Sequence, residues 1–272
     1  MKHLLFIALA LSALSAVSGC STQKFAMHQV DTSISSKSQG ERVQFLILHY
    51  TVGNMEGSLK ELSQGKVSSH YLVGEDMPTK VYRLVNEDKA AFHAGVSQWK
   101  DYSRLNLNSI GIEIVNAGYV ETATRRGYTP FPEGQIEAVL TIIKDVVARY
   151  QIKPEFILGH GEIAPQRKPD PGPLFPWKKL AEAGLITWPD AAQVASQQAI
   201  FEQQLPDITW FQQKLALHGY ATPQTGVFDE ATKNVLAIFQ TRYRPSLYDG
   251  SADAESAAIL SVLTAGKDDK KP

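Results

Sequence analysis

The chain has 272 residues, 43% of them hydrophobic, and a formal net charge of −1. That is enough for one large or two modest domains with a real core, and a balance so near neutral gives no footing for a nucleic-acid partner or a polybasic membrane patch. Cys20 is the only cysteine, so a disulfide within the chain is excluded.

The first 19 residues have a basic start, an apolar run over 4–17 and small residues at the end, the layout of a secretory signal too short to span a bilayer with confidence. The run closes on Val17-Ser18-Gly19-Cys20, which resembles a bacterial lipobox. In that reading Cys20 is lipidated, and Ser21 after it implies, by analogy with lipoprotein sorting, an outer-membrane anchor. Ordinary cleavage nearby would leave a free thiol instead. Residues 20–40 are polar, lack a helix or strand period and read as a lipidated tether.

From 43 to 50 the run VQFLILHY has the length and apolarity of a strand buried on both faces, with His49 near its end. Residues 58–64 predict a short helix. Residues 67–73 predict a strand carrying Ser69 and His70, and 81–85 predict another. A loop over 91–99 holds His93. The strand predicted over 110–115 sets Ile110, Ile112 and Ile114 on one side and Glu113 on the other. A carboxylate central to an apolar strand is unfavourable unless it is paired or faces a cation. Apolar residues recur at helical spacing over 134–150 between Pro132 and Pro154. A short strand over 156–159 then ends at His160.

The stretch 160–177, HGEIAPQRKPDPGPLFPW, follows directly. Pro169, Pro171 and Pro173 stiffen it. Lys168 and Asp170, two apart on an extended segment, point to one side. If the strands ending at His49 and His160 are parallel neighbours, both imidazoles lie at one sheet edge, and Asp170 reaches back to them. Two histidines and a carboxylate suit one Zn²⁺ with a position left open for water. Such a centre acidifies the water, Glu113 takes its proton, and Lys168 steadies the developing oxyanion. Lys168 read alone is equally a solvated loop lysine. His70 and His93 are candidates for orienting groups or substrate contacts, with a structural role for His70 the competing assignment.

The segments FLILHYT, VSSHYLV, FHAG, IGIEIVN and HGEIAPQRKPDPGPLFPW, in this order over 43–188, resemble the zinc-dependent N-acetylmuramoyl-L-alanine amidases. The resemblance implies an α/β fold: a mixed central β-sheet flanked by helices, as in phage amidases and peptidoglycan recognition proteins. It implies that His49, His160 and Asp170 ligate zinc, that Glu113 is the catalytic carboxylate and that Lys168 assists. It also implies cleavage of the amide between N-acetylmuramic acid, in some members its 1,6-anhydro form, and L-alanine of the stem peptide. Several phage-type relatives carry a tyrosine where this chain has Ser69, so Ser69 enters as a substrate-contact candidate without that tyrosine's role. They also use cysteine where this chain has Asp170.

Beyond 190 the composition shifts to a helical linker over 191–205 and a small all-α unit over 206–266, with three helices and Asp229 as a cap. The segments WFQQKLALHGY, TGVFDEATKNVLAIFQ and DGSADAESAAIL resemble a peptidoglycan-binding module. The whole then reads as a signal (1–19), a tether (20–40), an amidase domain (41–190), a linker and a wall-binding module, expected as a monomer acting on muropeptides. A non-catalytic wall-binding lipoprotein is the competing reading, and it leaves Glu113 and Asp170 without a task.

Overall fold

The computed structural model describes residues 24–25, 28–121 and 126–267. The leader, Cys20 and the end of the charged tail lie outside them. The chain divides into two units, Met1–Gly40 and Glu41–Pro272. In the first, the stretch read as free of strands carries one short antiparallel pair, Lys24–Phe25 with His28–Gln29. Among the described residues no helix is long and apolar enough to cross a membrane.

The second unit is built on a five-stranded mixed sheet. Its spatial order is Ile157–Gly159, Phe45–Tyr50, Ser109–Ile114, Tyr71–Val73, Val81–Arg83. The first four strands run parallel and the Val81–Arg83 edge strand is antiparallel to its neighbour. Every residue of FLILHY is buried, as its continuous apolarity requires of a strand covered on both faces. The helix Glu133–Tyr150 buries Ile136, Val139, Ile143 and Val146. Its buried Gln135 amide donates to the Val73 and Val115 carbonyls, tying the helix start to two strand ends.

Several sequence expectations shift; the strand expected over 81–85, for one, ends at Arg83. The first helix starts at Met55 rather than at 58, because the Asn54 side chain caps it by accepting from Gly57 N–H. The 67–73 strand shortens to Tyr71–Val73. Its start is displaced because the His70 ring, through Nδ1, accepts the Gly111 N–H at 3.0 Å.

Four helices follow, Ala191–Phe201, Ile208–His218, Glu230–Tyr243 and Ala254–Thr264, each capped by an aspartate: Asp190, Asp207, Asp229 and Asp253. The first packs along the last. Two buried glutamines hold the turns between them. Gln212 accepts from Gly226 N–H, and Gln240 accepts from Gly250 N–H, each at 2.8 Å. Phe211, Leu215, Val235, Leu236 and Phe239 join the same buried cluster as the sheet residues. The buried Trp99 lies against Gly219, where a Cβ would come within 2.5 Å of the indole, and Lys100 N–H donates to the Gly219 carbonyl at 2.7 Å.

Candidate metal centre and active site

Parallel pairing sets the site. Leu48 lies opposite Gly159 and His49 opposite Glu113. The residue after Gly159 therefore arrives beside His49 at the C-terminal ends of the strands, where open α/β sheets place their ligands. His160 opens a four-residue helix there. Gly161 N–H donates to the Asp170 carbonyl at 2.8 Å, which folds the proline-rich loop back over the strand ends. The Nδ1 atoms of His49 and His160 stand 2.9 Å apart, and Asp170 Oδ2 is 3.2 Å from each. All three residues are buried and their ligand atoms lie within 4.8 Å of one another.

The hydrogen bonds around this cluster fix its tautomers. His160 Nε2 lies 3.2 Å from the Ala94 carbonyl and 3.4 Å from Arg167 Nη2; carrying its proton there, toward the nearer carbonyl, the ring leaves Nδ1 bare. Ser109 donates to the Leu105 carbonyl and must accept from His93 Nε2–H at 3.1 Å. His93 Nδ1 is then bare and accepts from His49 Nε2–H at 3.0 Å. That leaves His49 Nδ1 bare as well. Two imidazole lone pairs and a carboxylate converge with no proton among them, an arrangement a cation satisfies. Burial, then the neighbouring His160, lowers His49 to about 4, and burial with His49 beside it takes His93 well below its ordinary value, so both rings are neutral. A buried His–His–Asp set fits a borderline divalent metal such as zinc.

Glu113 extends toward this cluster from the next strand, Oε1 lying 3.9 Å from His49 Nδ1. Its side chain is 13% exposed, and Oε2 is buried with no hydrogen-bond partner. Burial, then the Asp170 charge, pushes its carboxyl up to about 8, with Lys168 pulling the other way. A cavity of about 540 Å³ opens over the cluster, lined by Glu113, His160, Lys168 and Asp170 together with Tyr50, Tyr119 and Arg167. Lys168 thus reaches the site that its place in the loop predicted.

Ser69 and His70 do not. Both are fully buried. Ser69 donates to the Tyr71 and Gly111 carbonyls, and the His70 nitrogens are taken by Gly111 N–H and the Lys89 carbonyl. Their polar groups are spent on backbone, and neither residue lines the cavity. His93 lines the cavity, with one nitrogen against His49 and the other against Ser109. Sequence reasoning missed Ser109, which ends that chain, and Asn106, whose side chain accepts from the His93 and Ala94 N–H groups. It also missed Arg167, which donates to the Ala94 and Val96 carbonyls. Gly111 carried a usable signal: a Cβ there would come within 2.5 Å of the His93 ring, so the strand needs glycine two residues before Glu113.

Fold and site together define an α/β chain with a buried His–His–Asp cluster, able to hold a metal ion, at the C-terminal ends of its parallel strands. A family model described as N-acetylmuramoyl-L-alanine amidase matches residues 39–173, and a second, described as "Putative peptidoglycan binding domain", matches 204–260. The N-acetylmuramoyl-L-alanine amidase AmiD of Escherichia coli K12 is 39% identical over 257 residues, covering 91% of this chain and 93% of that protein. The 1,6-anhydro-N-acetylmuramyl-L-alanine amidase AmpD of the same strain is 34% identical over 120 residues, 44% of this chain and 60% of that protein. The solved structure of E. coli AmiD with anhydro-N-acetylmuramic acid-L-Ala-D-gamma-Glu-L-Lys superposes with a TM-score of 0.81, over 89% of this chain and 96% of that one. AmpDh3 of Pseudomonas aeruginosa with an anhydromuramic pentapeptide is 37% identical, with a TM-score of 0.80 over 88% and 98%. The chain belongs to the N-acetylmuramoyl-L-alanine amidase family.

Proposed function

We propose that this amidase hydrolyses the amide between N-acetylmuramic acid and L-alanine of the peptidoglycan stem peptide, accepts the 1,6-anhydro form as well, and uses one Zn²⁺ per chain. The observation that carries the metal is the convergence of the bare Nδ1 atoms of His49 and His160 on the Asp170 carboxylate. The anhydromuramyl peptides bound by E. coli AmiD and AmpDh3 support the substrate class.

In this reading His49, His160 and Asp170 hold the zinc, which supplies a Lewis acid that acidifies water and polarises the amide carbonyl. Glu113, with its Oε2 unpartnered and its side chain on the cavity wall, takes a proton from the attacking water and returns it to the leaving amine. Lys168, on the wall of the same cavity, offsets negative charge on the carbonyl oxygen in the transition state. His93 and Ser109 keep the His49 lone pair turned to the metal.

The sequence around Cys20 supports export and a lipid anchor in the outer membrane, with 20–40 as tether. We assign 41–190 to catalysis, 191–205 to the link and 206–266 to wall binding, in a monomer. The test uses a soluble form starting at Ser21, incubated with muropeptides with and without chelator and then zinc, with products read by mass spectrometry. Free stem peptide and peptide-free sugar, lost with chelator and restored by zinc, are expected. Intact muropeptides co-purifying with zinc-loaded protein would replace the enzyme with a binding protein.

A further inference from the structure

The helix that opens with the metal ligand His160 is only four residues long, too short to hold itself in place. Its third residue, Glu162, is 3% exposed. One carboxylate oxygen accepts the Gly159 N–H at 2.8 Å, clamping the turn from strand to helix on which His160 sits. The same oxygen is met at 2.7 Å by Arg242, which comes from the C-terminal helices and is itself 4% exposed. The other oxygen accepts from Tyr220, also C-terminal, at 3.3 Å. Arg242 donates further to the Ile157 carbonyl at 3.1 Å and lies 4.3 Å over the Trp177 ring. A Cβ on Gly159 would meet Pro171 and Trp177, and one on Gly161 would meet Ile238, so the turn is closely packed. The turn bearing His160 is thus gripped by residues of the metal loop and of the helices beyond 205.

We propose that Arg242, acting through Glu162, is a positioning residue for His160, so the C-terminal helices form part of the scaffold of the metal centre. This inference rests on the zinc assignment above. A buried ion pair does not by itself stabilise a fold, since desolvation offsets much of the attraction. Here one guanidinium nitrogen, Nη1, donates to both Ile157 O and Glu162 while the planar group lies over the Trp177 ring, a stacked placement that a lysine ammonium does not reproduce.

The test compares Arg242→Lys and Glu162→Gln with the unaltered full chain. Zinc affinity is read by competition with a chromogenic chelator, and folding by circular dichroism. The kcat and KM of the zinc-saturated proteins on a muropeptide complete the set. Partners behind metal ligands typically change metal affinity 10–100-fold. Zinc binding weakened about tenfold, with kcat lowered and KM within twofold, is expected of both variants. If the lysine variant does not fold, the near-isosteric glutamine variant decides. A folded variant with a lower melting temperature but unaltered zinc affinity and kcat would make the pair merely structural and overturn the proposal. His160→Ala serves as reference: if it binds zinc like the unaltered chain, the ligand assignment itself fails, a different result from intact zinc binding in the Arg242 and Glu162 variants alone.

Discussion

Glu113 occupies a strand position that an apolar residue would fill more favourably, and its uncompensated burial makes two predictions. Glu113→Gln should keep zinc, measured by metal analysis, and lose about 10²–10⁴ in turnover, the usual range for a general acid–base group. Near-normal turnover would remove Glu113 from the chemistry. The second concerns metal-free protein. The folded carboxyl is raised from its ordinary 4.5 to about 8. Below pH 4.5 folded and unfolded chains both carry this proton. Between 4.5 and about 8 only the folded chain keeps it, so this group's contribution to stability falls as pH rises, at about 1 kcal/mol per pH unit. Melts in chelator at pH 5 and pH 8 should show Glu113→Gln gaining on the unaltered chain toward pH 8. Behind the metal, Ser109→Ala removes the acceptor that fixes the His93 tautomer. Zinc affinity should fall while the fold persists, as chelator competition and circular dichroism would report.

At the scale of elements, Gly111→Ala puts a methyl group into the His93 ring and should lower both stability and zinc affinity, read by thermal melts with and without zinc. An alanine variant that melts like the unaltered chain in both conditions would show that the ring has room to move. The elements were mostly legible because their signals are local. Continuous apolarity marked Phe45–Tyr50, alternation marked Ser109–Ile114, and a 3.6-residue period marked Glu133–Tyr150. The metal cluster was legible from strand ends, proline placement and the motifs. The surroundings of Ser69 and His70 were not legible because nothing in VSSHYLV says that the His70 ring will take a backbone N–H from the neighbouring strand. Arg242 and Glu162 stayed hidden for another reason: 80 residues separate them, and each looks like an ordinary charged residue on a helix.

Across the whole molecule, one buried cluster runs from the sheet through the C-terminal helices. Calorimetry of residues 41–272 should therefore give a single transition, and zinc should shift all of it upward by mass action on the folded state. Two separated transitions, only one responding to zinc, would mean that the parts melt independently.

The contact between Trp99 and Gly219 limits what an engineer or a recombination event can do with this chain. Were the C-terminal helical part joined only through 191–205, another module could be grafted on by matching the ends. Instead, the indole fills the space that a side chain at 219 would occupy, and the Gly219 carbonyl is committed to Lys100. A transplanted module would need an equally bare backbone there and an acceptor at the same point. Compatibility is written into the seam, so a sequence change at Trp99 should be answered by one at Gly219.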